Sequence, residues 1–133
     1  GKPIRVFNNG DMIRDFTYID DIVESVVRLV PRAAAPDPGF DPKAPDPATS
    51  WAPARVYNIG NSRQEHLMHV IGLLEQATGI EAAKEFLPMQ PGDVQATWAD
   101  TAALEAAIGF TPDTPIEEGV RRYVAWYRDY HGK

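Results

Sequence analysis

The sequence predicts a mixed α/β fold with about four helices, four short strands and an incomplete sheet. Apolar residues recur at helical spacing in several segments, and short β-branched or aromatic runs lie between turn signals. The predicted strands are too few and too far apart in the chain for a complete doubly wound sheet. With 133 residues, of which 44% are hydrophobic, the chain is predicted to form one domain over residues 1–133.

The first predicted elements are a strand, a turn, a second strand and a helix. Residues 4–7 read IRVF, and the NNGD that follows contains Asn-Gly, which favours a tight turn. Residues 14–19, RDFTYI, alternate in the manner of a strand. The next segment, DDIVESVVRLVP, predicts a helix with an acidic start and a stop at Pro31. Its apolar residues fall on one face: Ile22, Val23, Val26, Val27 and Val30.

Residues 31–54 have a different composition from the rest of the chain. They contain seven of the twelve prolines, together with alanines and scattered aspartates. Such a segment cannot bury enough apolar surface to offset the entropy lost on ordering. We therefore expect a long, proline-rich, mobile loop within the single domain.

The second half of the chain predicts a buried strand and three helices. Residues 55–60, RVYNIG, are predicted to be the strand, and SRQE at Ser62 reads as a capping box that opens a helix ending at Gly79. A weak strand is expected near residues 85–87, and MQPGDV predicts a Pro-Gly turn. Asp100 is expected to cap a short helix, and TPIEEG to open the last one. The inward residues expected on the first and last of these helices are Leu67, Met68, Ile71 and Leu74, and Ile116, Val120, Val124 and Tyr127.

Composition limits the partners and the location. The net charge is −6 and the pI is about 4.9, which argues against nucleic acid or an anionic membrane surface as a partner. There is no cysteine, no apolar run long enough to span a membrane and no signal-peptide pattern at the N-terminus. We expect a cytoplasmic protein that does not bind to membranes.

A search for catalytic motifs yields little. GxGxxG, the P-loop and GxSxG are absent. His66 and His69 lie three residues apart on a predicted helix, but HExxH and a third ligand are missing, so solvated helix residues are a better interpretation than a metal site. The aromatic residues of the last helix, Trp126, Tyr127 and Tyr130, follow helical periodicity and are predicted to belong to the core.

Two features suggest anion and sugar binding. Arg14 follows a turn, where its guanidinium can meet a phosphate in a bidentate manner or form a salt bridge with Asp15 or another carboxylate. The turn QPGD, residues 90–93, ends in a carboxylate that can accept hydrogen bonds from sugar hydroxyls. Spacing in the sequence does not show whether the two features converge.

Four segments together resemble the C-terminal part of the extended short-chain dehydrogenases: VFNNGDMIRDFTYIDDIVESVV, VYNIGN, LPMQPGDVQATWAD and IGFTPDTPIEEGVRRYVAWYRDYH. The resemblance is to NAD-dependent nucleotide-sugar epimerases and looks closest to the UDP-glucuronate 4-epimerases. It covers nearly the whole chain except the proline-rich loop. It implies the substrate-binding C-terminal portion of a Rossmann-type fold.

The resemblance also implies roles for particular residues. Arg14 would contact the diphosphate of a UDP-sugar, and Asp93 would hold the ribose hydroxyls. The backbone around Val6 and Phe7 would lie along the edge of the uracil. Gln90 would lie beside the nucleotide, at a position where UDP-galactose epimerases typically have arginine.

The catalytic groups that the resemblance implies are not found in this chain. In the family a glycine-rich turn holds NAD and a Tyr-xxx-Lys pair transfers the proton, but no tyrosine here has lysine four residues later. The expectation is a fragment of the parent enzyme that has no catalytic residue, does not bind NAD, lacks its N-terminal Rossmann portion and is inactive alone. It is expected to self-associate or form a homodimer, because strands cut from their sheet leave unpaired edges. A non-catalytic assembly module of the same fold, and a related decarboxylase or dehydratase, remain as alternatives.

Overall fold

A computed structural model of the chain describes residues 2–132. Within these residues the chain forms four α-helices and four short strands, which confirms the predicted fold class. The strands are β1 (Ile4–Val6), β2 (Ile13–Arg14), β3 (Glu65–His66) and β4 (Lys84–Phe86). A 3₁₀ turn at Phe7–Gly10 follows β1. The helices are α1 (Ile19–Leu29), α2 (Leu67–Thr78), α3 (Ala102–Ile108) and α4 (Ile116–His131).

The strands form two separate two-stranded sheets. In the first, β1 and β4 run parallel with Val6 opposite Phe86. In the second, β2 and β3 run antiparallel with Arg14 opposite Glu65, and Ile13 also forms a parallel bridge with Ala96. The β2 strand is therefore shorter than predicted, because only residues 13 and 14 pair with β3. Sheets this small match the expected incomplete architecture.

The core lies between the helices and under β1. Helix α2 packs against α4, and α1 packs against α3. The buried hydrophobic side chains are Val6, Met12, Val70, Ile71, Leu104, Ile108, Val120 and Val124. The inward positions Ile71, Val120 and Val124 were predicted correctly, whereas Val70 was missed.

The predicted strand at residues 55–60 is wrong. None of these residues joins a sheet, and the Val56 side chain is 60% exposed. A strand needs neighbours, and the one backbone hydrogen bond that Val56 donates goes to Ala48 in the proline-rich loop. A composition typical of buried strands is therefore not sufficient for residues 55–60 to form one.

The predicted capping box at SRQE is also wrong. Ser62 adopts a left-handed conformation with φ of 53°, and its backbone N–H donates to Asp15. Glu65 and His66 pair with β2, so helix α2 begins only at Leu67 and has no side-chain cap. Ser62 is thus bonded to Asp15, and residues 65 and 66 form the strand β3 with β2 where the first turn of the helix was predicted.

Helix α1 has the predicted position, but it buries its polar face. Asp21 and Ser25 are buried: an Asp21 carboxylate oxygen accepts from the Thr114 N–H at 3.1 Å, and the Ser25 hydroxyl donates to the Asp21 carbonyl at 2.7 Å. The opposite face is exposed, and we call it the α1 stripe. It consists of Ile19, Val23, Val26, Val27 and Val30.

The aromatic residues of α4 do not form the predicted core. Trp126 and Tyr130 are 54% and 72% exposed, and their rings stack on each other with centroids 5.5 Å apart. Tyr123 packs against Trp126 at 5.8 Å and is also exposed. Helical periodicity identified the stripe but not its environment, because a stripe can face either a core or a separate partner.

Residues 31–54, all of which the structure describes, contain no helix or strand. Three Asp-Pro pairs close local turns there. Asp37, Asp41 and Asp46 each accept, through a carboxylate oxygen, the N–H two residues onward at 2.8 to 2.9 Å. Some backbone N–H groups of the loop are therefore hydrogen-bonded without an apolar core. The mobility of the loop stays a prediction.

Candidate functional site

The candidate site lies where the two parallel strands end. Strands β1 and β4 run in the same direction, so the segments that leave Val6 and Phe86 emerge at the same edge. The Leu87 N–H donates to the Val6 carbonyl at 2.9 Å, and the Asn9 N–H donates to the Leu87 carbonyl at 3.0 Å. Ligands of α/β sheets bind beyond the carboxyl ends of parallel strands. We call residues 7–15 and 87–99 together the carboxyl edge.

The two segments of the carboxyl edge are held to each other by hydrogen bonds. The Ile13 N–H donates to the Gln95 carbonyl at 2.8 Å, and the Thr97 N–H donates to the Ile13 carbonyl at 3.2 Å. The Gln95 side chain donates to an Asp11 carboxylate oxygen at 2.7 Å. Segments about 80 residues apart in sequence are thus fixed side by side.

Arg14 and Asp93 meet at this edge. An Arg14 Nη2 lies 2.9 Å from Asp93 Oδ1, and the two side chains are 26% and 33% exposed. Arg14 Nη1 donates to the carbonyls of Ile13 and Gln95 at 2.8 and 3.1 Å. A guanidinium carries five N–H donors, so these three bonds leave donors for a ligand. The salt-bridge interpretation is correct for Arg14, but the partner is Asp93 and not Asp15.

The predicted Pro-Gly turn presents the Asp93 carboxylate. The Asp93 N–H donates to the Gln90 carbonyl at 3.2 Å, and Gly92 has φ of 84°. Proline in the second position and glycine with positive φ in the third are typical of a type II turn. Among the described residues, the Asp93 carboxylate accepts from Arg14 and from the Val94 N–H, and both bonds end on Oδ1. The other oxygen, Oδ2, is left to accept from a ligand.

The remaining predicted site residues differ in accessibility. Val6 is fully buried and its carbonyl is bonded to Leu87, so a ligand cannot reach its side chain. Phe7 is half-buried and opens the 3₁₀ turn, while Gln90 is exposed at the start of the type II turn. Within the described part of the chain, no hydrogen bond joins Phe7 or the Gln90 side chain to the Arg14–Asp93 pair.

Sequence reasoning missed the role of Asp15. This carboxylate accepts three backbone N–H groups, from Asn61, Ser62 and Ala99, at 2.9 to 3.0 Å. Gly60 lies so close that a Cβ there would meet Asp15 Oδ2 at 2.8 Å. The signal in the sequence was an acidic residue near the start of the strand predicted at residues 14–19, where a charged side chain that points inward needs polar partners.

No metal site is formed by the residues that the structure describes. His66 lies in β3 and not on a helix, which corrects the predicted helical pair. His69 is exposed on α2 with Nε2 3.3 Å from the Glu117 carboxylate. The pKa of Glu117 is lowered, first by a backbone hydrogen bond at its own position and then by His69. Among residues 2–132 there is also no helix long and apolar enough to cross a membrane.

Comparisons with known proteins show which class of protein the chain resembles. Residues 1–60 match the family model described as the NAD dependent epimerase/dehydratase family. The chain is 53% identical over 131 residues to an uncharacterized 37.6 kDa protein of Escherichia coli O111:H−, covering 98% of this chain and 39% of that protein. These matches show that the chain is similar to proteins of the NAD-dependent epimerase/dehydratase class.

Two of the similar proteins are named as UDP-glucuronate or UDP-glucuronic acid 4-epimerases. The chain is 45% identical to a probable UDP-glucuronate 4-epimerase of Rhizobium meliloti, covering 96% of this chain and 38% of that protein. A variant of the UDP-glucuronic acid 4-epimerase of Bacillus cereus, solved with UDP-4-deoxy-4-fluoro-glucuronic acid and NAD, superposes with a TM-score of 0.71. That structure is 26% identical, and the match covers 97% of this chain and 36% of that one.

These findings confirm the resemblance inferred from the sequence. The chain is similar to the C-terminal part of NAD-dependent nucleotide-sugar epimerases, with UDP-glucuronate 4-epimerases among its relatives. The chain spans between 30% and 40% of the length of the curated relatives that it matches.

Proposed function

We propose that this chain is the UDP-sugar-binding portion of an NAD-dependent nucleotide-sugar epimerase. The reaction of the whole enzyme is the C4 epimerisation of UDP-glucuronate through a 4-keto intermediate. The observation that carries the proposal is the Arg14–Asp93 pair at the carboxyl edge, 2.9 Å apart and partly exposed. Relatives named as UDP-glucuronate 4-epimerases support the choice of sugar.

The chemistry of the pair fits a nucleotide-sugar. A diphosphate needs cationic donors, and Arg14 retains N–H groups after its three hydrogen bonds to the chain. Ribose hydroxyls need an acceptor, and Asp93 retains Oδ2. The bond between the two side chains keeps the carboxylate beside the cation, so its negative charge is offset where the diphosphate binds.

Phe7 and Gln90 complete the proposed nucleotide site. The half-buried Phe7, at the start of the 3₁₀ turn, lies along the edge of the uracil. The buried Val6 does not contact the nucleotide through its side chain. Its carbonyl accepts the N–H of Leu87 and so fixes the first residue after β4. Gln90 is exposed in the same type II turn as Asp93 and contributes a neutral amide where an arginine would add charge.

The residues of this chain do not fit NAD. In the part that the structure describes, β1 leads into a 3₁₀ turn, and no strand runs through a glycine-rich turn into a helix N-terminus. We place NAD and the Tyr-xxx-Lys pair in an N-terminal Rossmann portion of the enzyme. This chain then has no catalytic residue and is inactive alone. The lack of cysteine favours a reducing compartment, so the proposal includes a cytoplasmic location.

Calorimetric titration with UDP and UDP-glucuronate tests the proposal. Arg14→Ala and Asp93→Ala should each weaken binding by about 1.5 to 3 kcal/mol, which is tenfold or more in Kd, because each removes a charged hydrogen-bonding partner of the nucleotide. Arg121→Ala is the matched control, since Arg121 is exposed on α4 and pairs only with Glu118 in the described chain. That variant should bind as the unaltered chain does.

Two results would contradict the proposal. One is a chain that binds neither UDP nor UDP-glucuronate, even with either ligand in large excess. The other is binding that Arg14→Ala weakens no more than Arg121→Ala does. In the second case UDP would bind elsewhere on the surface, and the carboxyl edge would be a structural junction only.

A further inference from the structure

Asp15 is bonded to the backbone on both sides of strand β2. On one side its carboxylate accepts from the N–H groups of Asn61 and Ser62, at 2.9 and 3.0 Å, just before the chain enters β3. On the other side it accepts from the Ala99 N–H at 3.0 Å. One half-buried carboxylate thus fixes three segments to one another.

The hydrogen bond from Ala99 continues the ladder between β2 and residues 95–97, but its acceptor is the Asp15 side chain. The Ile13 N–H bonds to the Gln95 carbonyl, and the Thr97 N–H bonds to the Ile13 carbonyl, as in a parallel ladder. The next N–H in the series, that of Ala99, bonds to Asp15 Oδ2 in place of a backbone carbonyl. The side chain therefore ends the ladder and keeps residues 95–99 beside β2.

Arg14 is held by residues 93 and 95, which lie just before or within the segment 95–99 that Asp15 keeps beside β2. Two of its three bonds go to residues 93 and 95, namely the Asp93 carboxylate and the Gln95 carbonyl. If residues 95–99 moved away from β2, both acceptors would move with them. The direction of the guanidinium therefore depends on the contact that Asp15 makes with Ala99.

We propose that Asp15 is a positioning residue that sets the orientation of Arg14 for the nucleotide diphosphate. The inference rests on the proposed function for its ligand and on the three backbone contacts for its geometry. Asp15 does not touch the nucleotide. It acts by holding β2 and residues 95–99 together, so that Arg14 and Asp93 meet in one place.

Asp15→Asn is the informative substitution, since it keeps the size of the side chain and changes one oxygen to an NH₂ group. An amide has a single acceptor oxygen and would turn donors toward at least one of the three N–H groups. Asp21→Asn is the matched control: Asp21 is buried and also accepts a backbone N–H, from Thr114, but it lies on α1. Both variants lose a carboxylate that bonds to backbone.

Amide hydrogen exchange tests the positioning without any ligand. In Asp15→Asn the amides of Ile13, Thr97 and Ala99 should exchange at least about tenfold faster, and in Asp21→Asn they should not. Unchanged exchange of Ile13 and Thr97 in Asp15→Asn would overturn the proposal. If Asp15→Asn does not fold, Asp15→Glu is measured in its place: it keeps the charge but displaces both oxygens by one methylene, so the same amides should exchange faster.

UDP titration of a double-mutant cycle tests the connection to Arg14. Asp15→Asn should weaken UDP binding about tenfold in the otherwise unaltered chain, and less than about twofold when Arg14 is already alanine. Equal losses in the two backgrounds would overturn the proposal, because Asp15 would then act independently of Arg14. If the unaltered chain binds no UDP, the proposed function fails, and the exchange result alone decides whether Asp15 orders the edge.

Discussion

The carboxyl edge and the α1 stripe differ in whether their side chains have partners within the chain. At the carboxyl edge the polar groups bond within the chain: Arg14 to Asp93 and two carbonyls, and Asp15 to three backbone N–H groups. On the α1 stripe the side chains are apolar and open to solvent, from 46% exposed at Val26 to 79% at Val30. The charged side chains of the carboxyl edge thus have partners within the described chain, whereas the α1 stripe presents an apolar surface that the described residues leave uncovered.

The α1 stripe continues into a second exposed apolar region. A cavity of about 470 Å³ between the start of α1 and helix α4 is lined by Ile19, Tyr123 and Trp126, among others. Contiguous apolar patches of this kind mark contact surfaces. The comparison therefore separates the proposed ligand site from a docking surface, for which we propose the N-terminal Rossmann portion or a second copy of the chain.

The largest expected effect on stability comes from adding one methyl group at Gly60, against the carboxyl edge. At Gly60 a Cβ would lie 2.5 Å from the Ala99 Cβ and 2.8 Å from Asp15 Oδ2. Gly60→Ala should therefore lower the free energy of unfolding by about 1 to 3 kcal/mol, as overpacking does. Urea unfolding measures this.

A second glycine provides the control for that substitution. Gly72 lies inside α2, where an added Cβ would have no neighbouring atom within 4 Å among the described residues. Gly72→Ala should raise the free energy of unfolding by about 0.5 to 1 kcal/mol, because alanine favours the helix. Equal effects of the two substitutions would show that residues 60 and 99 are not held together as described.

A smaller expected effect on stability concerns the α1 stripe. We expect the chain to self-associate through this surface, so Val27→Glu should shift sedimentation toward the monomer, because a carboxylate in an apolar contact must lose its hydration. The monomer itself should change by no more than about 0.5 kcal/mol, since Val27 is 58% exposed. Val94→Glu, at the carboxyl edge and 52% exposed, is the control and should leave the association unchanged. A chain that sediments only as monomer at high concentration would contradict the expectation.

The smallest expected effect depends on pH and concerns an ion pair at the start of strand β4, opposite its carboxyl end. Glu75 at the end of α2 pairs with Lys84 of β4 and accepts the Ala82 N–H, and these contacts lower its pKa below the ordinary value of 4.5. A lowered pKa in the folded state stabilises the fold above 4.5, and this contribution is lost as the pH falls through the folded-state value. Urea unfolding should therefore find Glu75→Gln less stable at pH 7 and equal to the unaltered chain at low pH. A difference that persists in acid would contradict this.

Local signals in the sequence predicted most elements of the fold. Strand β1, the turn after it and helix α1 have their predicted places, and α2 and α3 end at Gly79 and Gly109 in left-handed conformations, as glycine at a helix end predicts. Residues 55–60 failed because strand formation depends on neighbours and not on composition. The faces of α1 and α4 failed for a related reason, since periodicity does not say what covers a stripe.

The components of the candidate site were predictable from the sequence, but their spatial arrangement was not. The sequence identified Arg14 and the turn that ends in Asp93, yet 79 residues separate them. Their meeting depends on the register of β2 with residues 95–99, and we infer that Asp15 holds that register. A contact set by long-range hydrogen bonds leaves no local pattern in the chain.

The type II turn at residues 90–93 has a consequence for the entropy of binding. Pro91 has a fixed φ, and Gly92 already adopts the positive φ that the turn requires, at 84°. The Asp93 carboxylate is therefore pre-organised before any ligand arrives, and little rotational freedom remains to be lost there. A pre-organised carboxylate raises affinity because less conformational entropy is lost when a ligand binds.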